Sequence, residues 1–453
     1  VKTLYAGLLS LFVLFYSANT SLGQDPFAYN QMSFLTEETG IGARAIGMGG
    51  AYIGVADDYS AIYWNPAGLG LIKNNEFFTS LTHTNRNINT KFLGLKDDNS
   101  QSKTALGALG YVYPYEVYRG SLVVAGGYNR VHNYSSLFGY SGFNPGPSYM
   151  GATFSSPEIP DRLTQDETVE INGNLSQLSL GCAFEAAEDV FIGVTFNYWT
   201  GEMNYNQVFQ EWDLHDYYTV LPNDFDNYLN DNIIDTDIRG YDVLIGAMYC
   251  VSPQLRLGAV INTPRFITLK EDWSINENMT FDDGTIELLE DYDDFGLFEY
   301  KVQMPFVFGA GLSYSFPNGL FSGEVRYTDW SQFQYRDDFP VAGYTKGSAN
   351  RNIKRTLRAV LSPKVGLELE FPNEMKFRAG FAHVPTPLID AESEYDRKYL
   401  SLGLGFFMGG TTNIDIAYRR GWWETNSVSA FSDIIVNENH VDHRVFATLS
   451  FRF

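Results

Sequence analysis

The sequence predicts an all-β protein: a fourteen-stranded antiparallel transmembrane β-barrel plugged by a small N-terminal segment. Three observations predict it. Segments of period-two alternation recur from about residue 76 to the last residue. Short connections alternate with long ones, as in barrels that carry turns on one side and loops on the other. The stretch before the first such segment is too rich in glycine and alanine for an ordinary strand or helix.

Composition narrows the class. The 453 residues include 42 Gly, 30 Tyr and 34 Phe, and the mean hydropathy is −0.19. Tight turns and aromatic girdles fit that mixture. Beyond the N-terminus no run of about 18 apolar residues occurs, so helical spans are excluded. A net charge of −23 argues against nucleic acid as a partner, because phosphate binding needs a basic surface. Cys182 and Cys250 have apolar neighbours and read as small buried or lipid-facing residues rather than a disulfide.

At the N-terminus, Lys2 precedes an apolar run from Leu4 to Ala18, and Ser21-Leu22-Gly23 fits a small-x-small cleavage site. Residues 1–23 are therefore the expected signal peptide, and export follows. Residues 24–75 form the expected plug. Within it, residues 40–69 read GIGARAIGMGGAYIGVADDYSAIYWNPAGL. Asp57 or Asp58 is expected to cap a short helix at 59–64. Pro66 should turn the chain at Asn65. Gly47-Met48-Gly49-Gly50 permits close backbone packing, but without a preceding strand or a GxGxxG spacing it is no nucleotide loop. Arg44, Asp57 and Asp58 are expected to pair with charges of the lumen.

Residues 76–453 form the expected barrel. In the last strand Val445, Ala447, Leu449 and Phe451 alternate with Phe446, Thr448, Ser450 and Arg452. Many segments run about 11 to 16 residues, against about five or six in soluble sheets and about 9–11 needed to cross a bilayer. Mid-strand charges such as Glu324, Arg326, Lys364, Glu368, Lys376 and Arg378 are tolerable only on a polar lumen face. Short turns are expected near 185–189, 252–254, 316–319, 371–374 and 409–413. Long loops are expected at 133–173, 204–240, 265–300, 334–355 and 423–440. For the long loops to share one side, residues 76–96 must be one strand with its extension, which makes the count fourteen.

The acidic stretches 213–237 and 281–299 read either as a divalent-cation site, since hard cations take several carboxylate oxygens, or, in preference, as hydrated, self-repelling surface loops. They lack EF-hand spacing, and neither a metal nor a cofactor is expected. The loop after Asn133 is different, because Leu137, Phe138, Tyr140, Phe143 and Phe154 are interleaved with Gly and Pro. It is either a landing site for apolar ligands or a mini-core that caps the barrel. Gly126-Gly127 lie inside a strand and mark either a kink that opens the wall or room for a bulky neighbour. Six scattered histidines, with no HExxH and no nucleophile elbow, give no catalytic constellation.

The 40–69 stretch, above all Asn65-Pro66-Ala67, resembles the N-terminal hatch of the FadL/TodX outer-membrane transporters. GYVYPY with YRGSLVVAGGYNRV, VRYTDWSQ and FRAGFAHVPTPL are similar too, so the resemblance spans essentially the whole mature chain. It implies a hatch carrying Arg44, Gly49, Asp57, Asp58, Asn65, Pro66 and Ala67, and a capture loop after Asn133. It also implies a lateral exit at a kink in the third strand, where Gly126-Gly127 fall. The implied activity is passive uptake of long-chain fatty acids or hydrophobic aromatics across a bacterial outer membrane. The expected surroundings are outer-membrane lipid and lipopolysaccharide, with the barrel-assembly machinery reading the C-terminal strand. The alternative is a barrel of the same build that docks secreted proteins.

Overall fold

The computed structural model describes residues 27–36, 39–146, 148, 150, 162–219, 224–288, 295–341, 343–429 and 434–453. The expected signal peptide and Phe154 lie outside these. Fourteen antiparallel strands close into a barrel. They are β1 (Glu76–Phe92), β2 (Leu95–Tyr115), β3 (Leu122–Asn133), β4 (Leu163–Ala187), β5 (Val190–Trp212), β6 (Phe225–Cys250), β7 (Leu255–Asn262 continued by Phe266–Phe281), β8 (Phe295–Gln303 continued by Val307–Phe316), β9 (Gly319–Asp329), β10 (Ala359–Phe371), β11 (Met375–Val384), β12 (Arg397–Met408), β13 (Thr412–Val428) and β14 (Ile435–Arg452). Neighbours in sequence pair throughout, and β14 closes on β1 from Glu76↔Arg452 to Lys91↔Asn437. Closure pairs β1 with β14, so among the described residues the wall has no free first or last strand, where each unsatisfied backbone group in the hydrocarbon would be costly.

Alternation sorts the side chains as the sequence predicts. Leu81, Tyr111, Leu180, Phe196, Leu402 and Leu449 are exposed on the outer face, while Thr195, Glu324, Glu368, Arg378 and Ser401 are buried inside. Cys182 lies on the outer face, Cys250 is half-buried, and both are free thiols. The expected short turns connect the strands at the end where the chain leaves β14.

At the other end the expected long loops are largely strand. Residues 204–212 and 225–240 continue the β5–β6 hairpin, paired from Asn204↔Asp235 to Trp212↔Asn227. Residues 266–281 and 295–303 likewise extend β7 and β8, paired from Gln303↔Phe266 to Phe295↔Ser274. Outside the membrane the outer face no longer needs to be apolar, so hydropathy is silent there while the ladder continues. The 334–355 connection contains a helix, Lys346–Thr356, opened by a capping box in which Thr345 and Ser348 exchange side-chain-to-backbone bonds. A short arm, Ser136–Asn144, folds back on β4.

Residues 39–72 lie inside the barrel, almost wholly buried. Their helical turns are short: Ala43–Gly47, Ala61–Trp64 and the 3-10 turn Pro66–Leu71. Pro66 ends the second of these. Asn65 is extended, at φ −158° and ψ 102°, and its side chain accepts from the Ala67 N–H to start the next turn. The expected aspartate cap takes another form: Asp58 Oδ1 accepts from the Ser60 N–H at 2.9 Å, and Ser60 stands at the helix start.

Close approach to the wall depends on glycine on both sides. Gly49 adopts φ +69°, and a Cβ on it would lie 2.7 Å from the Phe381 nitrogen. A Cβ on Gly380 would lie 2.1 Å from the Gly49 nitrogen, which no relaxation of a side chain can relieve. Gly380→Val is therefore expected to push residues 48–50 off the wall, at about 1–3 kcal/mol of overpacking strain. Single-channel conductance of the reconstituted barrel should rise; unchanged conductance in a folded variant contradicts this packing.

Candidate functional site

Charges fix the N-terminal segment. Glu324 of β9 accepts from the Tyr52 and Ile53 N–H groups at 2.9 and 3.0 Å, and from Arg326 and Lys364 at 2.8 and 3.0 Å. Glu368 of β10 receives Arg44 at 2.9 Å and Arg378 at 2.6 Å, and Arg378 continues to Asp415 at 2.6 Å. Arg44 also holds Asp57 at 2.5 Å, and Arg256 reaches Asp57 at 3.2 Å. Burial alone would raise the Asp57 carboxyl, but Arg44 and then Arg256 outweigh it and hold the group below the usual range. Asp58 bonds the Tyr52 hydroxyl at 2.8 Å. Asn65 donates to Ile53 O at 2.8 Å and to Ala247 O of β6 at 3.2 Å. Arg44, Asp57, Asp58 and Asn65 thus all take part in holding the segment. Pro66 and Ala67 pack where a Cβ on Gly193 would come within 2.5 Å of both.

Above this filled waist lies a cavity of about 370 Å³. One wall is largely apolar, with Phe34, Tyr134, Phe138, Ile171 and Met203. The opposite wall is built by register. Trp423 of β13 pairs with His440 of β14, which pairs with Ile88 of β1. Arg397 lies 5.2 Å over the Trp423 ring, and Trp423 stacks on His440 at 5.0 Å and 6°. His440 is fixed by Thr425 at 2.6 Å and Glu438 at 3.0 Å. Arg86 also lines the cavity, one inward step down β1.

Of the expected capture residues, Phe138 lines the cavity. Tyr140 stacks on Phe92 at 4.3 Å in a small core with Val436, and Phe143 meets His215 at 5.0 Å. Leu137 is half-buried beside them. Sequence reasoning missed Tyr29, Asn30, Ser33 and Phe34, which precede the recognisable stretch, and the Arg397–Trp423–His440 stack. The stack was legible only as isolated residues on three strands.

The wall has a seam, though not at Gly126-Gly127. Those glycines are paired to both neighbours, Tyr111↔Gly126↔Leu180 and Gly110↔Gly127↔Ser179. The room for a bulky neighbour is seen at Gly127: a Cβ on it would lie 2.1 Å from the Tyr59 hydroxyl, and one on Gly110 would lie 2.0 Å from its ring. Tyr59 fills that room and donates to Asn129 at 3.1 Å. The β2–β3 ladder stops at Ala108↔Asn129. Immediately beyond, Gly107 is an extra residue in the β1–β2 ladder and Val131 an extra residue in the β3–β4 ladder. Past these bulges β2 pairs only with β1, and Arg130–Asn133 only with β4. The Val131 carbonyl turns inward and accepts from the Thr39 N–H at 2.6 Å. Thr39 is also held by Arg419, at 2.8 Å to its carbonyl, and by Arg444 at its hydroxyl.

A closed wall with an apolar outer belt, a charged lumen occupied by its own N-terminal segment and a cavity above it together define an outer-membrane transport barrel. The chain belongs to the outer membrane protein transport protein family (OMPP1/FadL/TodX), whose model matches residues 31–449. The family is one of transport channels, not of enzymes. The fold is similar to that of the P. putida toluene transporter TodX, at 14% identity and a TM-score of 0.61 over 91% of this chain and 99% of that one. It is similar to a Pseudomonas aeruginosa FadL homologue at 15% identity and a TM-score of 0.60, over 92% and 98%. The Ralstonia pickettii toluene transporter TbuX gives 16% identity and a TM-score of 0.55, over 91% and 98%. No curated protein matches the chain in sequence.

Glu271 belongs to the upper core that holds the first described residues. It lies beyond the Tyr241–Phe266 girdle, outside the membrane, and accepts from the Tyr300 hydroxyl at 2.6 Å. Tyr335, against Tyr300, donates to Ala28 O at 2.9 Å. Burial pushes the Glu271 carboxyl up to about 7, against the pull of the Tyr300 hydrogen bond. A raised acid stabilises the fold fully below its unfolded value, about 4.3, and the contribution is lost as pH rises through about 7. The melting temperature should therefore fall between about pH 4.3 and 7 and level off above that, and Glu271→Gln should flatten that slope. Parallel slopes for the two proteins would refute the assignment.

Proposed function

We propose that this protein takes up hydrophobic small molecules passively through the outer membrane, with the segment 39–72 as a movable hatch. The observation that carries the reading is the cavity above the hatch, whose lining includes His132 beside the wall seam. Its apolar side suits an alkyl chain or an aromatic ring, and its few fixed polar groups suit an orienting role. The first described residues, Tyr29 to Thr36, line it, so cargo entering the cavity presses on the chain that leads into the hatch. Thr39 links that chain to Val131 at the seam. Release then runs sideways between β2 and β3, so the cargo passes from protein to lipid without crossing water.

Long-chain fatty acids and aromatic hydrocarbons both fit this reading. The cations distinguish them. Arg86 and Arg397 are cations of the polar wall, and a carboxylate head is the ligand group that guanidinium recognises best. No comparison supports the docking alternative.

Uptake of labelled oleate and toluene, measured in cells lacking the chain and in cells with it restored, tests the function; no difference for either compound sinks it. Arg86→Met combined with Arg397→Met should reduce oleate uptake about tenfold, the worth of one charge-assisted hydrogen bond, and leave toluene uptake in place. Equal loss for both compounds would remove the carboxylate reading. Deletion of Val131 should zip the seam and lower uptake of both compounds while the barrel still folds. Undiminished uptake in that variant would rule out release at the seam.

A further inference from the structure

Away from the lumen, the tips of β5, β6 and β7 bring five aspartates together. Asp213 follows β5, Asp216 lies in the turn after it, Asp224 and Asp226 open β6, and Asp282 follows β7. Backbone bonds tie the three tips. The Asp213 N–H donates to Asp226 O at 2.8 Å, and the Asp282 N–H to Asp224 O at 3.0 Å. Beneath them lies a separate apolar cluster that includes Met150, Leu163, Phe209, Tyr218 and Phe225.

A second observation sets this group apart from a hydrated acidic rim. Asp213 is only 8% exposed and Asp224 only 7%. The Asp213 Oδ2 accepts from the Tyr218 N–H at 2.7 Å, but its Oδ1 is buried and has no donor among the described residues. A buried carboxylate oxygen without a partner is expensive. No Lys, Arg or His among the described residues forms an ion pair with any of the five, in contrast to the lumen carboxylates. The group therefore lacks positive charge where it is most buried.

We propose that these aspartates bind a divalent hard cation of the calcium class, which staples the tips of β5, β6 and β7 over their apolar cluster. Such ions take six to eight oxygens in flexible geometry and accept carboxylates, carbonyls and water together. Magnesium, which demands a small octahedral shell, suits three separate tips less well. No three carboxylates among the described residues already surround one point. The ion draws Asp216, Asp226 and Asp282 towards the two buried anchors and completes its shell with water. A site assembled in this way belongs with the weak extracellular sites, at about 10⁻⁴ to 10⁻³ M.

Terbium luminescence on the full chain in detergent tests this, with Trp212 and Tyr218 as sensitisers. Saturable emission should appear and be displaced by calcium at millimolar levels. Asp213→Asn with Asp224→Asn should weaken binding at least about tenfold, the worth of one charge-assisted bond. Asp283→Asn, whose exposed side chain points away to Thr285, should bind as the parent does. Migration of the unheated barrel on gels reports folding in each variant. Emission displaced equally by potassium at matched ionic strength, or unchanged in the folded double variant, overturns the site.

Discussion

The N-terminal segment stays in the barrel because two wall carboxylates are buried there with their partners. Glu324 and Glu368 project from adjacent regions of the wall into the lumen, and each is essentially shielded from solvent. An anion in that position must be met by cations and N–H donors, since a buried charge left alone is strongly destabilising. The wall supplies some of these partners, Arg326, Lys364 and Arg378. The segment supplies the rest: Arg44 for Glu368, and the backbone at Tyr52 and Ile53 for Glu324. Segment and wall thus complete each other electrostatically, and the seats where glycine meets backbone bring them close enough to do so. The bonds are polar and directional. They can be exchanged for water one at a time, which suits a part that must hold and also move.

The waist and the cavity are coupled through one residue. Thr39 uses its N–H, its carbonyl and its hydroxyl on three different strands, β3, β13 and β14. It crosses the inner face of β1 and β2 where the β2–β3 ladder ends. A bulge usually leaves one residue without a ladder partner; here the Val131 carbonyl, freed from the ladder, is bonded by the plug. The wall defect and the lumen segment therefore share a hydrogen bond.

Much of this was legible in the sequence. Alternation gave the strands, their two faces and the sidedness of the connections. Pro66 and the small residues marked the lumen segment, and Arg44 and Asp57 pair with lumen charges as expected. What could not be read follows from what hydropathy measures. Above the membrane the outer face of β5 and β6 is polar, so residues such as Asn204 and Asp235 looked like loop although their backbones are paired. Gly126-Gly127 carried two meanings, a kink or a seat, and only the position of Tyr59 in space separates them. The cavity stack of Arg397, Trp423 and His440 depends on register between three strands, which no single segment contains.

The length of the strands has a consequence of its own. β6 has 26 residues, which at about 3.3 Å each and a tilt of about 40° rises roughly 65 Å, against an apolar band of about 25 Å. On the side of β4 to β6, with 23 to 26 residues each, more than half of the wall therefore stands clear of the bilayer as a half-chimney, while β9 to β12, with 10 to 13 residues, barely exceed the band. Lipid constrains only its base. The upper part answers to the rules of a soluble sheet, so its outer residues can be polar or charged without opposing insertion of the base.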